Sequence, residues 1–298
     1  MNMVRAFELK SPNVERSVSD EELFLVSCSF KTFFLRLLPP TPIMSNNRSY
    51  YFFTTKKISP KHTLLRILID PHKGIQDLMY KKLRTVGDPN KRFHEDALRI
   101  VRAIRFVNVL NTTLRAVSKD KAQLFDYIKE TWNSVKNNHE LIKNVAKERI
   151  KEEIMKAFTV GDPFGFIALL DEARLLQHLF PALYKTKYIE QPVRYHPFDV
   201  YTHTLLALRE LQHINKNPLV RFAMLYHDVG KVDQFGAYKD NLSKEEIREI
   251  LTGPLNHRRS SPEYAKMDFK SLGFSSKEIT EICRYIAHHH MLEEIIFA

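Results

Sequence analysis

A mostly α fold is the architecture this sequence predicts: a helical body followed by a helical C-terminal region, with a short β or irregular remnant ahead of them. Three observations predict it. From Arg92 onward, apolar residues recur three and four apart, at Leu98, Val101 and Ile104 to Phe106, and again at Leu141, Val145, Ile150 and Ile154. Helix punctuation follows, with Asp162-Pro163 opening a third helix that ends near Pro181, and QPVRYHPFDV linking to another helical block. The first 68 residues, by contrast, carry no sustained period and read as irregular, and LLRILID from Leu64 reads as a short buried strand before the turn signal DPHKG.

A chain of 298 residues can bury a sizeable core and has room for two ordinary domains. Lys and Arg outnumber Asp and Glu by 46 to 35, a formal charge of +11, which favours a polyanionic partner such as nucleic acid. Cys28 and Cys283 are the only cysteines, too few for a disulfide framework or a cysteine zinc cluster, so a reducing cytoplasm is expected and any metal must use His and carboxylates. The most apolar N-terminal run, from Leu23, is broken by Lys31 and Arg36 short of the ~20 residues a membrane span needs. A soluble protein without membrane association is the expectation. The first glycine is Gly74, so no glycine-rich phosphate loop precedes it.

The stretch GDPNKRFHEDALRIVRAIRF, from Gly87, sets an acidic pair before arginines at steps of three. On one continuous helix Asp96 and Arg99 would share a face, and a carboxylate beside a guanidinium fork can meet the amine and adjoining acceptor that C and A both present. G and U carry the opposite polarity. An intrahelical ion pair on a solvated face is the alternative reading of the same spacing.

IDPHKGIQDL, LRTVGDPNKRFHEDALRIVRAIRF and AKERIKEEI together resemble the neck and body of class II tRNA nucleotidyltransferases, the CCA-adding enzymes and their poly(A) polymerase relatives. The resemblance runs from about Ile69 to the C-terminus. It implies tRNA, CTP and ATP as partners, and an EDxxR motif, here Glu95, Asp96 and Arg99, that reads the incoming base. By the same resemblance Arg92, Arg102 and Arg105 would support nucleotide or tRNA phosphates, and Glu148, Arg149 and Glu153 would brace the neck helix. The family's catalytic head uses magnesium held by an Asp-x-Asp pair, and this chain has no Asp-x-Asp anywhere. The chain alone is therefore expected not to add nucleotides, and a head carried by a separate chain is one way to complete the site.

The segments HPFDVYTHTLLAL, LVRFAMLYHDVGK, NHRRS and AHHHM resemble the HD domain, a helical metal-dependent phosphohydrolase fold. The resemblance implies a divalent metal on His203, His227, Asp228 and His257. The family's closing Asp falls near Met291, and His289 or His290 would substitute. Lys231 would offset phosphate charge. The implied organisation is an unassigned segment 1–68, a head remnant 69–84, a neck and body 85–182 and an HD domain 183–298. Two functions stay open: a tRNA 3′-end processing protein of the nucleotidyltransferase family, and a metal phosphohydrolase acting on cyclic nucleotides or RNA end phosphates.

Overall fold

The computed structural model describes residues 53–56, 65–68, 70, 72–117, 124–190, 198–235, 245 and 257–289. The described chain is mostly helical, as the apolar spacing predicts. Strands β1 (Phe53–Lys56) and β2 (Leu65–Leu68) form an antiparallel ladder with Phe53 opposite Leu68 and Lys56 opposite Leu65. β2 lies where the sequence predicts a strand, but β1 lies in the segment expected to be irregular. FTTK is too short to show a period, yet its two β-branched threonines suit a strand once a partner is present.

Helix α1 (Gly74–Met79) follows the turn at Asp70, whose carboxylate accepts from the amides of Gly74 and Ile75. A two-residue parallel bridge then joins β3 (Lys82–Leu83) to β4 (Asp126–Tyr127). Between them lie α2 (Pro89–Glu95) and the long α3 (Leu98–Val117). The periodicity predicted one helix here and the structure breaks it at Asp96, which takes an extended conformation (φ −154°, ψ 100°). Asp96 Oδ1 accepts from Leu98 N, so a residue type that favours N-caps ends one helix and starts the next.

The body continues with α4 (Lys129–Asn137), a 3₁₀ helix (His139–Asn144), α5 (Lys147–Val160), α6 (Pro163–Glu172), α7 (Leu176–Leu179) and α8 (Pro181–Lys185). Leu141 and Val145, expected in the same helical segment as Ile150, sit instead in the 3₁₀ turn and at its extended end. Asp162 caps α6 by accepting from Gly165 N, with Pro163 at the first helical position, as predicted. That helix stops at Glu172 rather than near Pro181. Arg174 adopts φ +60°, its amide bonds to Asp171 O, and Leu175 N reaches Leu170 O, a Schellman closure carried by a non-glycine residue.

The C-terminal region comprises α9 (Val200–Ile214), α10 (Pro218–Tyr226), α11 (Lys231–Phe235), α12 (His257–Ser271) and α13 (Ser276–Ala287). Gly273, at φ +78°, closes α12 with the same pair of bonds, Gly273 N to Lys270 O and Phe274 N to Phe269 O. A capping box between Ser275 and Glu278 opens α13.

One apolar cluster runs from Phe93 and Ile104 through Phe158, Phe166 and Phe180 to Phe222, Phe269 and Ile286. Phe158 of α5 stacks on Phe222 of α10 at 4.0 Å between ring centroids. No gap in this core marks the division expected at 182/183. Polar contacts cross the same line: Lys151 pairs with Glu278 at 2.7 Å, and Asp268 accepts from Ala182 N. Among the described residues, no helix is long and apolar enough to cross a membrane.

Candidate functional site

Two clusters hold the side chains singled out by sequence. The first lies where α2 meets α3. Glu95 Oε2 accepts from Arg92 Nη1 at 2.9 Å and from Arg99 Nη1 at 2.8 Å. Arg99 also donates to Arg92 O, and Arg92 Nε donates to Val86 O. The Glu95 carboxyl is held below its ordinary value by hydrogen bonds from Arg99 and then Arg92. Asp96 turns the other way and pairs with Arg149 of α5, Nη2 to Oδ2 2.9 Å.

Asp96 and Arg99, expected to share one face of a continuous helix, are separated by the break between α2 and α3, and the alternative ion pair between them is not formed either. The break at Asp96 removes the three-residue stacking that the prediction required. Both residues still flank the same surface at the α2/α3 junction, each engaged with a neighbour through partly exposed pairs. Such pairs are worth roughly 0–1 kcal/mol, so each can be exchanged cheaply for an incoming ligand group.

Arg102 and Arg105 are also placed differently from expectation. Both turn inward from α3 onto Glu153 of α5: Arg105 Nε reaches Oε2 at 2.6 Å and Arg102 Nη2 reaches Oε1 at 3.2 Å. Lys156 adds a third cation at 3.6 Å. Glu153 is buried. Burial alone would raise its carboxyl, but Arg105, Arg102 and Lys156 outweigh it and hold the group below its ordinary value. Glu153 thus braces α3 against α5 through Arg102 and Arg105. Glu148, expected to share the bracing, is exposed on the first turn of α5 and enters none of the ion pairs among the described residues. Arg149 braces through Asp96.

The second cluster gathers around Asp228. His203 arrives from α9, His227 and Asp228 from the end of α10, His257 from the start of α12 and His289 from just beyond α13. Nε2 of His227 and of His203 lie 3.2 and 3.4 Å from Asp228 Oδ2. His257 and His289 present Nε2 to Oδ1 at 3.4 and 3.9 Å. Nδ1 of His227 meets Met224 O at 2.7 Å, and Nδ1 of His289 meets Ile286 O at 2.6 Å. A carbonyl can only accept, so each Nδ1 carries a proton, and in the neutral ring Nε2 is the nitrogen left to ligate.

Asp228 Oδ1 is buried with no hydrogen-bond partner. Burial would raise its carboxyl, but His227, Lys231 and His257 hold it well below the usual carboxylate range. Burial opposes the charged form of His227, and the Asp228 charge more than offsets this, leaving it above its ordinary value. Lys231, expected to meet phosphate, instead places Nζ 2.7 Å from Asp228 Oδ2 within the buried centre. His290 and Met291 lie outside the described residues, while His289 stands in the position the sequence left open between the two histidines.

Residues 125–186, from β4 through α8, match the family described as the probable RNA and SrmB-binding site of polymerase A. The "Multifunctional CCA protein" of Shewanella denitrificans is 30% identical over 165 residues, covering 55% of this chain and 37% of that relative. That of Hahella chejuensis is 29% identical over 230 residues, covering 76% and 50%. A "CCA-adding enzyme" of Lactobacillus helveticus is 42% identical over 89 residues, 30% of this chain and 19% of its own length. The chain thus spans half or less of the length of these relatives. A solved CCA-adding enzyme with CTP aligns over 74% of this chain and 50% of its own, at 21% identity and a TM-score of 0.41.

Proposed function

We propose that the chain, which is similar to CCA-adding enzymes and carries the RNA-binding region of polymerase A, acts in tRNA 3′-end processing by binding tRNA together with CTP or ATP. The observation that carries this reading is the match of residues 125–186 to an RNA-binding region, packed beside the α2/α3 junction that holds Glu95, Asp96 and Arg99. The formal charge of +11 supports a phosphate backbone as the larger part of the contact.

In this reading Asp96 leaves Arg149 to accept from the exocyclic amine of C or A. Arg99 leaves Glu95 and donates to the adjoining ring nitrogen or carbonyl. Arg92, and Arg149 once Asp96 has left it, are the arginines at this surface for a phosphate, because Arg102 and Arg105 are committed to Glu153. Replacing Asp96 by Ala should weaken CTP and ATP binding about tenfold, the worth of one hydrogen bond to a charged group. Binding of GTP and UTP should be unchanged. Equal weakening of all four nucleotides, read by titration calorimetry, would show that Asp96 does not read the base.

Nucleotide addition needs paired carboxylates to cage two magnesium ions, and the 298 residues contain no Asp-x-Asp. In this reading these 298 residues bind tRNA without extending it, and the transfer step belongs to a catalytic head that they do not contain. The experiment is incubation of pure protein with labelled CTP and tRNA lacking its terminal triplet, alongside a filter-binding assay. Salt-sensitive tRNA binding without incorporation is expected. Incorporation by this chain alone would refute the division of labour, and failure to bind tRNA would refute the function.

A second reading is favoured by the Asp228 cluster. Four inward Nε2 atoms around a carboxylate with an unsatisfied buried oxygen suit a divalent cation, and the chemistry of the donor set fits one. A bound ion there would supply hydroxide near neutral pH for attack on a phosphoester such as a 2′,3′-cyclic phosphate. The chain's own part is to hold Nε2 inward through the Met224 and Ile286 carbonyls and to keep Asp228 ionised beside Lys231. His227→Ala should abolish stoichiometric binding of manganese or zinc at this centre and any phosphatase activity, with tRNA affinity unchanged. Retention of the metal in that variant would exclude His227 as a ligand.

A further inference from the structure

A third group of side chains lies apart from both clusters, on the RNA-binding segment itself. His139 opens the 3₁₀ helix, Glu140 follows it, and His178 comes from α7, 39 residues along the chain. His139 Nδ1 and His178 Nε2 face each other at 3.0 Å. Glu140 Oε1 lies 3.3 Å from the same His178 nitrogen and 3.7 Å from the same His139 nitrogen. The two rings lie 5.2 Å apart between centroids with 14° between their planes, and the two nitrogens and Glu140 Oε1 form one compact group of three ligand atoms.

These three separations have a simple geometric reading. Ligands at about 2.0–2.1 Å from a tetrahedral zinc ion stand about 3.3 Å apart, and the three edges here bracket that value. Without a cation, two imidazole nitrogens and a carboxylate oxygen must share the few protons two neutral rings can offer. Lys143 binds Glu140 through Oε2 and leaves Oε1 for the histidines, an outer contact of the kind that orients a ligating carboxylate. The side chains of His139 and His178 are largely buried while Glu140 is exposed, which leaves one side open to water.

We infer that His139, Glu140 and His178 form a divalent metal site of zinc type, with a fourth position open to solvent, that clips the 3₁₀ turn to α7. It is distinct from the Asp228 cluster and independent of it. The site shares no residue with the surface read by Asp96 and Arg99, so its occupancy does not depend on the nucleotide-binding reading either.

The test uses the full chain, stripped with a chelator and titrated with zinc alone. Wild type should bind one equivalent more than His178→Gln, and the same difference should persist when both carry His227→Ala. Glu140→Gln alters an exposed side chain, retains the fold and should weaken this equivalent about tenfold or more. Equal zinc stoichiometry in wild type and a folded His178→Gln would overturn the site. Should His178→Gln fail to fold by circular dichroism, Glu140→Gln decides: unchanged zinc affinity overturns the proposal and weakened affinity supports it.

Discussion

Glu153→Gln should cost about 3 kcal/mol of stability, toward the lower end of what breaking a buried ion pair costs. Glutamine keeps the shape and one acceptor, so the loss isolates the charge. Arg102 and Arg105 remain where α3 places them, each with little side-chain exposure, and a neutral amide cannot offset two guanidinium groups. The effect carries a pH signature. The folded pKa of Glu153 is depressed below its ordinary 4.5. Its stabilisation is therefore fully present above that value and is lost as pH falls through the lower folded value. Urea denaturation from neutral pH down into the acid range should show the wild-type advantage constant at first, then shrinking below about pH 4.5. Replacing Glu153 by Leu and both arginines by Met should recover much of the loss, because an apolar set of similar volume avoids burying any charge. A Glu153→Gln variant as stable as wild type would mean that water already screens the two arginines.

The brace and the Asp228 centre differ in how far the sequence reveals them, and the difference is one of separation along the chain. His227-Asp228 is a doublet at the end of an apolar run, and the histidines flanking it lie in recognisable segments. Their convergence could be anticipated. The pairing of Glu153 with Arg102 and Arg105 spans 51 and 48 residues and depends on how α5 crosses α3, which no local pattern encodes. His139 and His178 meet for the same reason, with no motif around either. The break at Asp96 was hidden differently: a capping aspartate inside an unbroken apolar period looks like any other polar helical position. The closure at Arg174 is not legible in the sequence, because a left-handed residue is expected at glycine and nothing in an arginine advertises it.

Arg221→Met should lower stability by about 3 kcal/mol, because it leaves several backbone acceptors in the interior without donors. Arg221 is buried and its guanidinium donates to Asn215 O at 2.8 Å, Gln212 O at 3.0 Å and Phe158 O at 2.5 Å. The first two close the last turn of α9 and the third lies in the last turn of α5, so one cation serves the negative ends of two helices. Methionine fills the aliphatic volume and supplies none of these bonds. Arg221→Lys should restore only part of the loss, since a single ammonium cannot span three carbonyls held in different directions. The consequence reaches the residues proposed to bind a metal. Arg221 lies six residues before His227 and fixes the start of α10 against both helices, while α9 carries His203 and α10 ends at the His227-Asp228 doublet. Loosening that joint lets the two ligand-bearing helices shift independently. Arg221→Met should therefore weaken divalent-metal binding at the Asp228 centre while leaving the Asp96 surface unchanged, and Arg221→Lys should fall between the two. Equal metal affinity in all three proteins, measured where each is fully folded, would confine Arg221 to stability alone.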